Sequence, residues 1–197
     1  MSGNGRTVVV GVGNEFRRDD GVGWAVVGRL AELAERTSSL DGVVLTVSDG
    51  DPGRLIGTWR GAALCVVVDA AHAHPGCPGR VHRLEVTGGE LRASASASSH
   101  GLGLGEAVEL ARVLGHLPPR LVVFAVEGAD SSLGTGLSAP VRAAVAPLAE
   151  RVRQEILRHR AAERASARGR AEADDLADDI ADGVAGGVAG SGAGRRG

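Results

Sequence analysis

The sequence predicts an α/β fold of three layers, in which a mostly parallel twisted sheet of about five strands lies between helices on both faces. Two observations favour this class. Short aliphatic runs alternate along the chain with longer segments whose apolar residues recur every three or four positions. The aliphatic runs are also nearly continuous, which is typical of parallel strands buried on both faces.

The first half of the chain contains three predicted strands, at residues 7–12 (TVVVGV), 43–47 (VVLTV) and 62–70 (AALCVVVDA). A helix over residues 21–36 connects the first two, because its apolar residues return at helical spacing. Before the third strand, the turn SDGDPG leads into a short helix at residues 55–59.

The second half predicts two further strands. Residues 79–86 (GRVHRLEV) mix apolar and charged side chains, as a half-exposed edge strand would, and residues 119–128 (PRLVVFAVEG) predict a buried strand. Between them, the small polar residues 93–100 form a loop that leads into a helix from about His100 to Leu114. A last helix begins near Pro140.

The chain is predicted to form one domain over residues 1–160, followed by a disordered tail over residues 161–197. Its 197 residues are 43% hydrophobic, which is enough for one core of ordinary size. The tail is rich in arginine, then in aspartate, then in glycine and alanine, and it offers almost nothing to bury.

Overall composition excludes several classes of partner. A net charge of -2 provides no field that would attract nucleic acid or an anionic membrane. No apolar stretch approaches the roughly 18 residues of a membrane span. The two cysteines and the lack of an apolar leader after Met1 predict a cytoplasmic protein without a disulfide framework.

The loop after the first strand reads GVGNEFRRDDGVG, at residues 11–23. Dinucleotide binding needs a third glycine where this loop has Phe16, and Asp19 and Asp20 would compete with a phosphate for the amide groups at the start of the helix. A nucleotide is therefore disfavoured, although a nucleotide-binding enzyme stays an alternative. A second alternative is that Asp19 or Asp20 only caps the helix.

Three side chains are predicted to meet at the carboxyl edge of the sheet. Asp20 opens the first helix, Asp69 ends the third strand, and His100 opens the helix after the serine loop. Two carboxylates and an imidazole suit a divalent transition metal such as nickel or zinc. A metal held there could act as a Lewis acid, or it could only anchor a ligand while Asp20 or Asp69 serves as a general base.

Other polar residues receive lesser roles. Cys65 is predicted to lie in the core, and Cys77 in a loop. Asn14 and Asp19 are predicted to orient their loop by bonding its backbone. His72 and His74 are assigned either to the surroundings of the metal site or to solvent, and His82, His116 and His159 are assigned to the surface.

Four motifs in order resemble the hydrogenase maturation protease family, over about residues 7–158: GVGNEFRRDDGVG, VVVDAAH, SSHGLGLGEAVELA and GLSAPV. The resemblance implies a twisted sheet between helices, with a cleft in which Asp20, Asp69 and His100 contact a metal and Asp20 and Asp69 are catalytic. It implies an endopeptidase, of aspartic or metal-assisted type.

The same resemblance implies the substrate. Members of the family remove a C-terminal extension from the large-subunit precursor of a nickel-iron hydrogenase after nickel has been inserted. The metal is then nickel, supplied by the substrate, and zinc or cadmium could substitute for it. We expect a monomer. The alternative is a chaperone that binds the nickel site of the precursor without cutting it.

Overall fold

The computed structural model describes residues 5–87, 90–93 and 102–187. Within these ranges six strands form one sheet, and they are β1 Thr7–Val12, β2 Val43–Ser48, β3 Leu64–Ala71, β4 Val81–Thr87, β5 Glu90–Ala93 and β6 Arg120–Glu127. The α-helices in these ranges are α1 Val22–Ala34, α2 Pro52–Trp59, α3 Leu102–Val113 and α4 Ala139–Gly187. The predicted α/β class is confirmed, and each of the five predicted strands is present.

The sheet is mostly parallel, with strand order β2-β1-β3-β6-β4-β5. Strands β2, β1, β3 and β6 run in parallel, whereas β4 is antiparallel to both of its neighbours. The connection that follows β1 leads to β2 on one side, whereas the connection that follows β3 leads toward β4 on the other side. The carboxyl ends of β1 and β3 therefore flank a topological switch point, the usual position of a ligand site in such sheets.

Strand β4 does not form the edge of the sheet, so that part of the prediction is wrong. Strand β5 covers its outer side, and its sequence ELRA gave little signal because it lacks β-branched residues. The charged residues that made β4 look exposed are instead paired: Glu85 accepts hydrogen bonds from Arg83 and Arg120. Both arginines also bind Glu155 of α4, which is 1% exposed.

Two apolar clusters place helices on both faces of the sheet. One face packs α1 and α4 against β1, β3 and β6, with Leu30, Phe124 and Ile156 buried between them. The opposite face packs α2 and α3 against the same strands, with Trp59 and Leu121 fully buried. This is the predicted three-layer arrangement, and it leaves the loops at the carboxyl edge free to form a site.

Helix α4 extends further than the sequence predicts. Its backbone stays helical to Gly187, through most of the segment predicted to be a disordered tail. Alanine is the commonest residue of that segment, followed by aspartate, and alanine favours a helix without any burial. Residues 188–197 lie outside the described ranges.

The described chain divides into two compact units, Gly5–Leu157 and the residues from Arg158 onward. The first contains the whole sheet, and the second the distal half of α4. Independent folding of residues 1–160 stays a prediction. None of the helices in the described ranges combines the length and apolar composition needed to cross a membrane.

A close approach of backbones fixes the start of α1 against the sheet. A Cβ atom added at Gly23 would lie 2.5 Å from the Val12 carbonyl oxygen and 2.6 Å from that of Val68. Gly11, in β1, has equally little space, since its Cβ would meet the carbonyl group of Gly23. Helix α1 therefore rests on both β1 and β3, directly after the loop that contains Asp20.

We expect Gly23→Ala to destabilise the protein by about 2 kcal/mol, because the methyl group must displace the backbone of two strands. The matched control is Gly28→Ala in the same helix, where an added Cβ meets nothing within 4 Å. The control should be neutral or stabilising by up to about 1 kcal/mol. Urea unfolding followed by circular dichroism measures both, and equal midpoints for the two variants would contradict the close-packing argument.

Candidate functional site

The two predicted site acids lie on either side of the switch point. Asp20 belongs to a 3-10 turn, Arg18–Gly21, that leads from the loop after β1 into α1. Asp69 lies near the carboxyl end of β3, the neighbour of β1 in the sheet. The two side chains are near enough for the charge of Asp20 to raise the pKa of Asp69.

The loop between β1 and α1 folds back on itself to present Asp20. Gly13 adopts a φ of +124°, and its N–H donates to the Ser48 carbonyl at the end of β2. The carboxylate of Asp20 accepts the N–H of Asn14 at 2.9 Å, and the side chain of Asn14 accepts the N–H of Phe16. Asn14 thus orients its own loop, as predicted.

Asp20 does not cap the helix. The N-cap residue of α1 is Gly21, and no side chain bonds to the cap. The alternative that Asp19 or Asp20 only caps the helix is therefore wrong, because both acids lie within the 3-10 turn and Gly21 takes the N-cap position. The Asp20 side chain is partly exposed.

Asp69 is 9% exposed, and its carboxylate accepts the N–H of Ala70 at 2.8 Å. Burial is the main reason that the pKa of Asp69 rises to about 6, and the nearby charge of Asp20 raises it further against the opposing Ala70 hydrogen bond. A carboxyl group with this pKa exchanges its proton close to neutral pH. Such groups are enriched at functional sites.

Asp19 has a different role from its neighbour. It is 1% exposed and accepts the N–H groups of Ala129 at 2.8 Å, Asp130 at 3.1 Å and Ser138 at 2.7 Å, as well as the Ser138 hydroxyl at 2.8 Å. Burial alone would raise the pKa of Asp19, but these hydrogen bonds outweigh it and hold the pKa below the ordinary value. Asp19 thus ties its loop to the loop after β6, a partner that the sequence did not indicate.

Two large apolar side chains lie exposed on these tied loops. Phe16 is 60% exposed and Leu133 is 80% exposed. Their backbones are joined, since the N–H of Gly134 donates to the Phe16 carbonyl and that of Arg18 donates to the Gly134 carbonyl. Arg18 also forms an ion pair with Asp130, with Nε and Oδ2 3.2 Å apart.

A pair that the sequence did not indicate, formed by the buried Glu127 and the partly buried His82, holds the segment after Asp69. The carboxylate of Glu127, at the end of β6, lies 2.6 Å from Nε2 of His82 and accepts the N–H of Cys77. His82 is therefore not a simple surface group. The N–H of Cys77 and the imidazole of His82, together with the charge of Arg80, hold the pKa of Glu127 below its ordinary value. The sequence feature that could have indicated this pair is Glu127, an acid at the end of an otherwise apolar strand.

The third predicted ligand, His100, lies outside the described residues. Among the residues that are described, no three His, Cys, Asp or Glu side chains lie close enough together to hold a metal ion. The roles of Asp20, Asp69 and His100 as metal ligands, and of the two acids in catalysis, stay predictions. Cys65 lies in the core as predicted, and burial raises the pKa of its thiol.

A family model described as hydrogenase maturation protease (HycI) matches residues 29–155. This chain belongs to the hydrogenase maturation protease family. The matched range covers more than half of the chain and includes Asp69 and His100, while Asp20 precedes it. The resemblance inferred from the four sequence motifs is confirmed.

Solved structures share the fold. The hydrogenase maturating endopeptidase HybD from E. coli is 24% identical with a TM-score of 0.57, over 75% of this chain and 89% of that one. The maturation protease HycI from Thermococcus kodakarensis KOD1 is 25% identical with a TM-score of 0.54, over 80% and 95% of the two chains. No curated protein matches the chain at a significant level.

Substituting Asp19 should destabilise the protein far more than substituting its neighbour. We expect Asp19→Asn to lower the free energy of unfolding by about 3 kcal/mol, because an amide nitrogen would face buried N–H groups. Asp20→Asn is the matched control, and it should change the free energy by less than about 1 kcal/mol, since it accepts a single exposed hydrogen bond. Similar losses in both variants would contradict the assignment, and urea titration at pH 7 measures them.

The metal-free protein should show the raised pKa of Asp69 as a dependence of stability on pH. An acid whose folded pKa is raised stabilises the fold fully below its unfolded pKa, and that stability is lost as pH rises through about 6. We therefore expect Asp69→Asn to gain about 2 kcal/mol over the wild type between pH 4 and pH 7.5. Denaturant titrations with a chelator present test this, and a constant difference across that range would contradict it.

Proposed function

We propose that this chain is the endopeptidase that removes the C-terminal extension of a nickel-iron hydrogenase large-subunit precursor after nickel insertion. The observation that carries the proposal is the pair Asp20 and Asp69, placed at the switch point of the sheet in a member of the hydrogenase maturation protease family. Asp20, Asp69 and His100 sense the nickel, which arrives with the precursor and is therefore part of the substrate.

The chemistry of the two acids fits a cation. The negative charge of Asp20 raises the pKa of Asp69, so the two carboxylates repel, and a divalent ion between them would relieve this repulsion. Carboxylate oxygens together with an imidazole nitrogen suit nickel, and zinc or cadmium could take the same ligands. A precursor without the metal leaves the repulsion in place, so its end binds less well. This is the proposed basis of nickel sensing.

Cleavage of the peptide bond needs a proton acceptor for water and a proton donor for the leaving amine. We assign both tasks to Asp69, which accepts and donates the proton when it is not bound to nickel, because its pKa in the metal-free protein is about 6. Asp20 is the charge that helps to hold the pKa of Asp69 in this range. Nickel, when bound, supplies an electrophilic centre that polarises a neighbouring carbonyl group.

The proposed partner is the folded large-subunit precursor, and the protease acts on it as a cytoplasmic monomer. The exposed side chains of Phe16 and Leu133 lie on loops of the same sheet edge as the two acids. An apolar pair at this position favours contact with a protein surface beside the bond to be cut.

The test is incubation of the purified chain with nickel-loaded precursor, followed by intact-mass measurement of the large subunit. We expect the wild type to shorten the precursor, and Asp69→Asn and His100→Ala to reduce the rate by at least about a hundredfold. His116→Ala is the matched control, a histidine predicted to lie away from the site, and it should process at the wild-type rate.

The outcomes separate the two candidate functions. A wild-type chain that binds the precursor and leaves its mass unchanged is the non-catalytic chaperone. Full activity of Asp69→Asn and His100→Ala would falsify the assigned site even if the precursor is cleaved. Circular dichroism of each variant shows that a lost activity does not result from unfolding.

A further inference from the structure

Strand β2 has a free edge. It is the outermost strand of the sheet on its side, and within the described ranges it pairs only with β1. Its backbone therefore turns a row of N–H and C=O groups away from the sheet, where an added strand can pair with them. Val44 and Val47 are 41% and 36% exposed, so β2 presents apolar side chains to solvent beside its unpaired edge.

A cleft of about 590 Å³ lies at the carboxyl half of this edge. Side chains from α1, from α2 and from the end of β2 line it, and they are Trp24, Val47, Ser48, Asp49, Arg54, Gly57 and Thr58. Because α1 and α2 pack on opposite faces of the sheet, a cleft lined by both helices straddles the edge of β2. We call this cleft the edge groove.

The edge groove is joined to the candidate site. The indole Nε1 of Trp24 donates to the Gly13 carbonyl at 3.0 Å, and the N–H of Gly13 donates to the Ser48 carbonyl at 3.0 Å. Gly13 in turn lies beside Asp20, since a Cβ atom added at Gly13 would lie 3.4 Å from the carboxyl carbon of Asp20. A peptide in the groove would therefore lead toward Asp20 at the carboxyl end of β2.

The charges of the edge groove indicate what kind of segment fits it. Its acid and its base neutralise one another, since Arg54 Nη1 and Asp49 Oδ2 lie 3.1 Å apart. The remaining lining is an indole, a valine, a glycine and two hydroxyl-bearing residues. This surface favours an extended, uncharged segment with at least one apolar side chain, held by main-chain hydrogen bonds.

We propose that the edge groove binds an extended segment of the precursor's C-terminal extension, which pairs with β2 as an added strand and so directs the scissile bond toward Asp20 and Asp69. The inference rests on the proposed function and adds to it the residues that hold the substrate. The groove is continuous with the site at which that substrate must react, which distinguishes it from the exposed residues Leu110 and Val113 on α3.

Gly57 allows the groove to be filled without disturbing the fold. A Cβ atom added there meets nothing within 4 Å, and leucine is a better helix former than glycine. We expect Gly57→Leu to raise the KM for nickel-loaded precursor about tenfold, with kcat within about twofold of the wild type, because it removes binding and leaves the chemistry intact. Gly169→Leu in α4 is the matched control, at a helical glycine with equally open space.

Hydrogen exchange provides a second measurement that does not depend on a groove variant. In the complex of Asp69→Asn with the nickel-loaded precursor, the amides of residues 43–48 that face away from β1 should exchange at least about tenfold more slowly than in free Asp69→Asn. The amides of residues 108–113 in α3 should be unchanged. Unaltered exchange at residues 43–48, or a Gly57→Leu variant with the KM of the control, would overturn the inference.

The same assays separate this inference from the proposed function. Normal cleavage by the wild type and by Gly57→Leu contradicts only the groove. A wild type that never shortens the precursor contradicts the proposed function and the groove together. Equal urea midpoints for Gly57→Leu and Gly169→Leu exclude unfolding as the cause of a raised KM.

Discussion

The backbone contact at Gly23 sets the geometry of the whole carboxyl edge. A helix that begins there rests on Val12 of β1 and Val68 of β3 at once, at a distance that leaves no space for a side chain. The turn that contains Asp20 directly precedes this contact, and Asp69 directly follows Val68. Asp20 and Asp69 are therefore brought together by the close packing of one helix on two neighbouring strands.

Two consecutive aspartates, Asp19 and Asp20, have different roles at this edge. Asp19 accepts four hydrogen bonds from the loop after β6, and its pKa is low because those bonds favour the charged form. Asp20 instead acts on Asp69. Burial is the main reason that the pKa of Asp69 is raised, and the charge of Asp20 raises it further. One residue of the pair fixes the loop, and the fixed loop keeps the other near Asp69. Adjacent aspartates thus have different electrostatic roles: hydrogen bonds stabilise the charged form of Asp19, whereas the charge of Asp20 disfavours the charged form of Asp69.

Hydrogen bonds to buried carboxylates, and not packed apolar side chains, hold the loops at this edge in place. Asp19 holds the segment after β6, and Glu127 holds the segment after β3 through Cys77 and His82. A chain with only 2% aromatic residues has few large side chains with which to anchor loops. Charge-assisted hydrogen bonds to backbone N–H groups give the required rigidity at small volume. Through Asp19, these bonds tie the loop that contains Asp20 to the loop after β6.

The sequence by itself determined the fold class, the five main strands and the family. Continuous aliphatic runs and helical periodicity depend on local composition, so they can be recognised without coordinates. The same holds for the positions of Asp20, in the segment that leads from β1 into α1, and of Asp69, near the end of β3. Local patterns were less informative for the short strand β5, for the paired charges of β4, and for the helical segment beyond residue 160.

Only the tertiary structure decided which residues meet. It showed that Asp19 bonds to Ser138 and that His82 bonds to Glu127, partners separated by 119 and 45 positions. It also showed that β2 is an edge strand with a groove between two helices. Contacts at such separations depend on strand order and on how helices pack across the sheet, and periodicity within one segment contains no information about either.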